Sequence, residues 1–209
     1  MNSFYRITEE LKVNLTKPLP GLSAQMRMVP SHRGDKFSLN HEGVLKNSAV
    51  LISVFQFNGK ISTLLIKRGI YEGVHSGQIS FPGGKFEESD PSLTYTALRE
   101  TEEEVGIDQK DIEIIGTLSP LLIPVSRTEV LPVVGVIKKL PVLKLNNREV
   151  EYPIIAPVEL LKDKRNQLVE ILFHNNLEIQ APYFKVGEEH IWGATAMIIS
   201  EFIEIFPEN

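Results

Sequence analysis

The stretch GGKFEESDPSLTYTALRETEEEVG, residues 83–106, leads a glycine pair into a segment carrying seven acidic side chains. Gly83 and Gly84 permit unusual dihedrals and close backbone approach, so a tight turn is expected there. Asp90 supplies a capping side chain and Pro91 suits a first helical position, which predicts a helix through the residues that follow. On that helix Leu98, Thr101 and Val105 fall on a core-facing side, while Glu100, Glu103 and Glu104 converge on a neighbouring face. Carboxylates crowded in this way repel one another, and a hard divalent cation, Mg²⁺ or Mn²⁺, offsets the repulsion by accepting oxygen ligands. A solvated surface helix with incidental acidic crowding accounts for the same spacing. The turn favours a shared site, since the Gly84 carbonyl can join the carboxylates and Arg99 can orient one of them.

The remainder of the chain bounds what such a site can serve. With 209 residues, 42% of them hydrophobic, there is material for one substantial core. The formal charge of -5 gives no general attraction to nucleic acid or anionic membrane. There is no cysteine, which removes disulfides, thiolate nucleophiles and cysteine-held metals from consideration. The charged start, MNSFYRITEELKV, does not read as a signal peptide, and no apolar run approaches membrane-spanning length, so a cytoplasmic protein is expected.

Periodicity predicts a helix over 3–14 that buries Phe4, Ile7, Leu11 and Val13, followed by an irregular stretch to Lys46. Residues 1–46 read as an extension laid on the core or on a partner, the latter giving a homodimer contact; residues 47–209 form the main domain. SAVLISVFQF and ISTLLIK, separated by Asn58, Gly59 and Lys60, predict a β-hairpin. Further strands are expected at 78–84, 111–118 and 130–137, the last one shortened, bulged or placed at an edge by Pro132. Helices are expected from Pro157 to about Lys164 and from about Ala194 to Ile205.

The acidic stretch resembles the Nudix hydrolase signature, through Gly84, Asp90, Arg99-Glu100, Glu103-Glu104 and Gly106-Ile107. Two features depart from it: Asp90 replaces a glutamate, and the spacing to Arg99 is one residue longer than usual. Both are familiar in the coenzyme A pyrophosphatase branch, whose upstream signature is similar to LLIKRGIYEGVHSGQISFPGG at 64–84. Ile66, Gly69 and Gly73 differ from that signature, and the last change removes an expected arginine. Similarity continues through TEVLPVVGVI, REVEYPIIAPVELL and IWGATAMII.

The resemblance implies an α/β fold, an α/β/α sandwich around a mixed β-sheet. It also implies divalent-metal-dependent hydrolysis of a pyrophosphate linkage in coenzyme A or another nucleoside diphosphate-linked small molecule, such as ADP-ribose or a dinucleotide. A catalytically silent nucleotide sensor is a different use of the same fold. Glu100, Glu103, Glu104 and the Gly84 carbonyl are the expected metal ligands, with Arg99 ordering the cluster and Glu103 assisting proton transfer. Glu149 and Glu151 are candidate bases outside the signature. Arg68, His75 and Lys85 are candidate substrate contacts, and His190 is expected to serve packing.

Overall fold

The computed structural model describes residues 3–31, 45–69, 77–174 and 177–208. Its organising element is the hairpin of β1 (Lys46–Phe57) and β2 (Lys60–Arg68), whose register closes at Phe57↔Lys60. Asn58 and Gly59 both have positive φ, 47° and 78°, as a two-residue hairpin turn requires. Lys60, expected in the turn, is the first residue of β2.

β1 is then flanked by strands from three different parts of the chain. It runs parallel to β7 (Thr128–Ile137) from Lys46↔Thr128 to Val54↔Val136, and antiparallel to β4 (Gly83–Lys85) at Ser48, Ala49 and Val50. Among the described residues, eight strands form this mixed sheet, with the path β3 (Ile79–Ser80), β2, β1, β7, β5 (Ile112–Thr117). β6 (Leu121–Ile123) adds to β7, and β8 (Val150–Pro157) adds to β2.

Strand alternation divides the apolar residues between two cores. Ile52, Val54, Leu65, Val134 and Val136 pack with Phe4, Ile7 and Leu11 of α1 (Ser3–Asn14) and with Met197, Ile198 and Phe202 of α5 (Gly193–Ile205). Ala49, Leu51, Phe55, Leu64, Ile66 and Val133 pack with Ala97 and Val105 of α3 (Leu93–Val105). The architecture is thus a mixed sheet flanked by helices, and it places α3 over the face that carries the β4 turn.

Several expectations are corrected. Val13 is exposed, because it lies off the Phe4, Ile7, Leu11 stripe. Pro132 neither shortens β7 nor places it at an edge: β6 pairs with β7 up to Val130 and β5 pairs from Val133, so the missing N–H falls at the junction between them. The Pro132 carbonyl still accepts from the Leu118 amide at 2.9 Å. The short strand expected within 78–84 is β3, and the glycine turn after it adds β4; Pro157 flanks α4 (Val158–Lys162) instead of starting it.

α5 is buried well beyond a single stripe, since Thr195, Ser200 and Glu201 are also inaccessible. Their polar groups are satisfied by the chain around them: Ser200 donates to the Ala24 carbonyl, and Glu201 accepts from the Gly21 and Ser119 amides and from Gln25. Periodicity also missed the antiparallel sheet of β9 (Gln167–His174), β10 (Leu177–Val186) and β11 (Glu189–Trp192). Pro182 and the mixed apolar and acidic composition of β9 and β10 hid its alternation. Among the described residues, no helix is long and apolar enough to cross a membrane.

Leu11 is fully buried between α1 and the sheet, so Leu11→Ala is expected to cost about 3 kcal/mol of stability, read as a lowered urea midpoint with an unchanged slope.

Candidate active site

The turn comes first. Gly83 has a φ of 151°, and a β-carbon there would stand 2.3 Å from the Ala49 carbonyl oxygen, so glycine alone lets β4 lie this close to β1. At Gly84 a β-carbon would meet the Glu100 carboxylate, its carbon and both oxygens, at 2.4–2.5 Å. The Glu100 side chain therefore rests on the Gly84 backbone. On the other side, buried Ser48 donates its hydroxyl to the Gly84 carbonyl.

The helix begins later than the sequence suggests. Ser92 is its N-cap, accepting from the Tyr95 amide at 3.2 Å, and Gly106 ends it in the left-handed conformation, donating to the Glu102 carbonyl. Asp90 is not the cap and Pro91 is not helical, because both Asp90 oxygens are engaged elsewhere. They accept from Arg99 Nε at 2.9 Å and Nη2 at 3.0 Å, from the Thr96 hydroxyl at 2.8 Å and from the Glu87 amide at 3.1 Å. The Arg99 guanidinium holds the Asp90 carboxyl well below the usual carboxylate range, against the opposing effect of burial.

Arg99 spends its remaining donors on the site. Nη2 donates to the Lys85 carbonyl at 3.1 Å, and Nη1 stands 3.1 Å from Glu100 and 3.3 Å from Glu103. Arg99 thus joins loop, turn and helix through its contacts.

The three glutamates occupy different environments. Glu104 is buried, accepts from the Gly83 amide at 2.9 Å and has Arg68 Nη1 at 3.5 Å; burial pushes its carboxyl up to about 7. Glu100, half-sheltered, is also raised by burial, with the charges of Glu103 and Glu149 adding to the effect. Glu103 is largely exposed and turned along the helix towards Arg99. Their expected convergence is corrected accordingly: among the described residues, no three acidic or histidine side chains form a ready-made metal cage. Arg99 draws Glu103 outward while the Gly83 amide draws Glu104 inward.

The donor chemistry nevertheless suits a hard divalent cation. Glu100 and Glu104 are oxygen donors against the same glycine turn, each with its proton affinity raised by burial and by neighbouring negative charge. Glu149 joins them electrostatically, because the 144–150 segment is bound to the end of α3: Lys144 and Asn146 donate to the Val105 and Glu104 carbonyls, and the Glu149 carbonyl accepts from Gly69.

Of the expected substrate contacts, Arg68 pairs with Glu104 and Lys85 is exposed beside Gly84. His75 and Gly73 lie outside the described residues. Lys67 pairs with Glu189, which also accepts from Tyr152. His190 stacks on Tyr183 and bonds Glu170, away from the glutamates of α3. Asp90 and Ser48 are the residues whose roles sequence reasoning missed. The signals for Asp90 were its place in the signature and its spacing to Arg99.

The chain is similar to known proteins in sequence and in fold. A family model described as the NUDIX domain matches residues 45–162, and the chain belongs to the Nudix family. Nudix hydrolase 22, chloroplastic, of Arabidopsis thaliana is 36% identical over 161 residues, covering 74% of this chain and 53% of that protein. Nudix hydrolase 15, mitochondrial, of the same plant is 34% identical over 74% of this chain and 56% of its own length, so the chain spans about half of these two relatives. The mitochondrial coenzyme A diphosphatase NUDT8 of Homo sapiens is 29% identical over 94% of this chain and 78% of that protein. Among solved structures, a MutT/nudix family protein from Enterococcus faecalis superposes with a TM-score of 0.51 at 17% identity, covering 95% of this chain and 73% of that one, a likeness of fold.

Asp90→Asn would leave the Arg99 charge without its buried counterion and is expected to cost about 3 kcal/mol. Because the folded carboxyl is depressed, the stabilisation is complete above the unfolded value of about 4 and is lost as pH falls towards the folded one. Acid titration of the unfolding midpoint should therefore show a shallower low-pH fall in the variant than in the parent.

Proposed function

We propose that this chain hydrolyses a pyrophosphate linkage in a nucleoside diphosphate derivative, with coenzyme A the leading substrate and Mg²⁺ or Mn²⁺ the cofactor. The observation that carries the reading is the pair of sheltered carboxylates, Glu100 and Glu104, held against the Gly83-Gly84 turn by Arg99 and a backbone amide. Two things support coenzyme A: the extent of similarity to the human diphosphatase, and the upstream signature at 64–84.

In the reaction, water adds to one phosphorus, the bridging P–O bond breaks and the second phosphate leaves with the bridging oxygen. Coenzyme A would yield adenosine 3',5'-bisphosphate and 4'-phosphopantetheine. A bound divalent cation supplies Lewis-acid polarisation of the phosphoryl group and lowers the pKa of water. Glu100, Glu103, Glu104 and the Gly84 carbonyl are the residues that would hold it. Arg99 orients Glu100 and opposes the upward push of burial on its carboxyl; it has no acceptor site and cannot take a proton.

Proton removal from water falls to Glu103 or Glu149, whose charges both act on Glu100. Arg68 pairs with Glu104, and Lys85, exposed next to Gly84, is a cation available to an incoming diphosphate.

The test is a panel of coenzyme A, ADP-ribose, NADH and nucleoside triphosphates, run with each metal and with chelator. Coenzyme A is expected to be cleaved with the highest kcat/KM and chelator to abolish turnover. Selective ADP-ribose cleavage would overturn the substrate while keeping the chemistry, and binding without turnover would indicate a sensor. Glu103→Gln and Glu104→Gln are each expected to lower kcat/KM by about 100-fold or more, with far-UV circular dichroism unchanged.

A further inference from the structure

Away from the site, β9 presents an apolar row to solvent: Val169, Ile171 and Phe173 are 62%, 56% and 77% exposed. These residues alternate along the strand and so share one face. β9 is also the terminal strand of its sheet, in the order β11, β10, β9, with no further strand on its outer side among the described residues.

The backbone phase of that outer edge follows from β10. Gln180, opposite Ile171 in the register, donates its amide to the Ser31 hydroxyl at 3.0 Å, away from β9. Gln180 and Ile171 are therefore a non-hydrogen-bonded pair, and the amide and carbonyl of Ile171 point to the open edge. Alternation gives Val169 and Phe173 the same direction. Pro182, opposite Val169, fits this phase, because it has no amide to offer β9. The three most exposed apolar side chains of β9 thus belong to residues with outward backbone groups, as does Gln167, while Leu168, 40% exposed, has the opposite phase.

We infer that β9 is an interface between two copies of this chain, joined by antiparallel pairing of their β9 edges about a two-fold axis at Ile171. In that register Ile171 meets Ile171, and Val169 of each copy meets Phe173 of the other, so the apolar row is its own complement. The antiparallel direction carries the Lys164-Arg165 turn before one β9 towards the far end of the other, where exposed Glu178 stands beside Phe173. The usual protections of an open edge are missing from QLVEILFH, which contains no lysine and no proline. Its one acid, Glu170, is bound to His190 of its own chain.

The chain lacks cysteine, which makes single cysteine variants unambiguous probes. A hydrogen-bonded antiparallel pair holds its α-carbons about 5.5 Å apart, within disulfide reach. Ile171→Cys is therefore expected to form a covalent dimer under mild oxidation. Val169→Cys alone should not, whereas the double variant Val169→Cys, Phe173→Cys should. In sedimentation, the unmodified chain is expected at twice its 23.5 kDa mass, and Ile171→Lys should weaken association at least about tenfold with circular dichroism and turnover unchanged. A chain monomeric up to about 100 μM would overturn the proposal, including the case in which β9 instead accepts a strand from another protein. So would a dimer that survives Ile171→Lys, or a dimer in which Ile171→Cys stays uncrosslinked.

Discussion

The pairing of Asp90 with Arg99 is the interaction on which the site is built. A buried carboxylate receives both arms of a guanidinium, a hydroxyl and a backbone amide, and this fixes the guanidinium in place. From there Arg99 reaches the Lys85 carbonyl, Glu100 and Glu103. Loop, turn and helix are consequently held by one side chain whose own charge is already neutralised. Lysine could not replace it, because a single ammonium lacks the planar fork that satisfies Asp90 and still has donors left for the turn.

The sheet contributes by permitting close approach. β1 receives β4 at Ala49 and Val50 through a glycine with no room for a side chain, and this brings the Gly83 amide to the buried oxygen of Glu104. Glu104 is sheltered by the fold and pushed towards protonation, while Glu103 on the next residue remains in solvent. Adjacent residues of one helix therefore present carboxylates of different character.

Local chemistry made much of this readable in the sequence. Asn58-Gly59 announced the hairpin, the Phe4, Ile7, Leu11 spacing announced α1, and the acidic signature announced the helix of the site. Where the reading failed, the deciding contact was distant or the pattern mixed. Asp90 looks like a cap until Arg99 claims it, and Ser92 then takes that place. Glu149 is one acid among many until Asn146 and Gly69 fix its backbone beside α3. The sheet of β9, β10 and β11 escaped notice because apolar residues stand on both phases of β9 and Pro182 interrupts β10, so neither strand alternates cleanly.

The parallel pairing of β1 with β7 has a consequence for how the chain is made. Lys46 finds Thr128 as its partner, 82 positions later, so the interior strand of the sheet stays uncovered on one side until β7 has been synthesised. All of residues 83–106 are already present by then, yet the strand that seats their turn lacks its neighbour. Closing so long a loop must precede any gain from the contacts, which makes this step slow relative to forming the hairpin or α3. The site should mature late, as a product of the completed sheet, although its signature helix can form early.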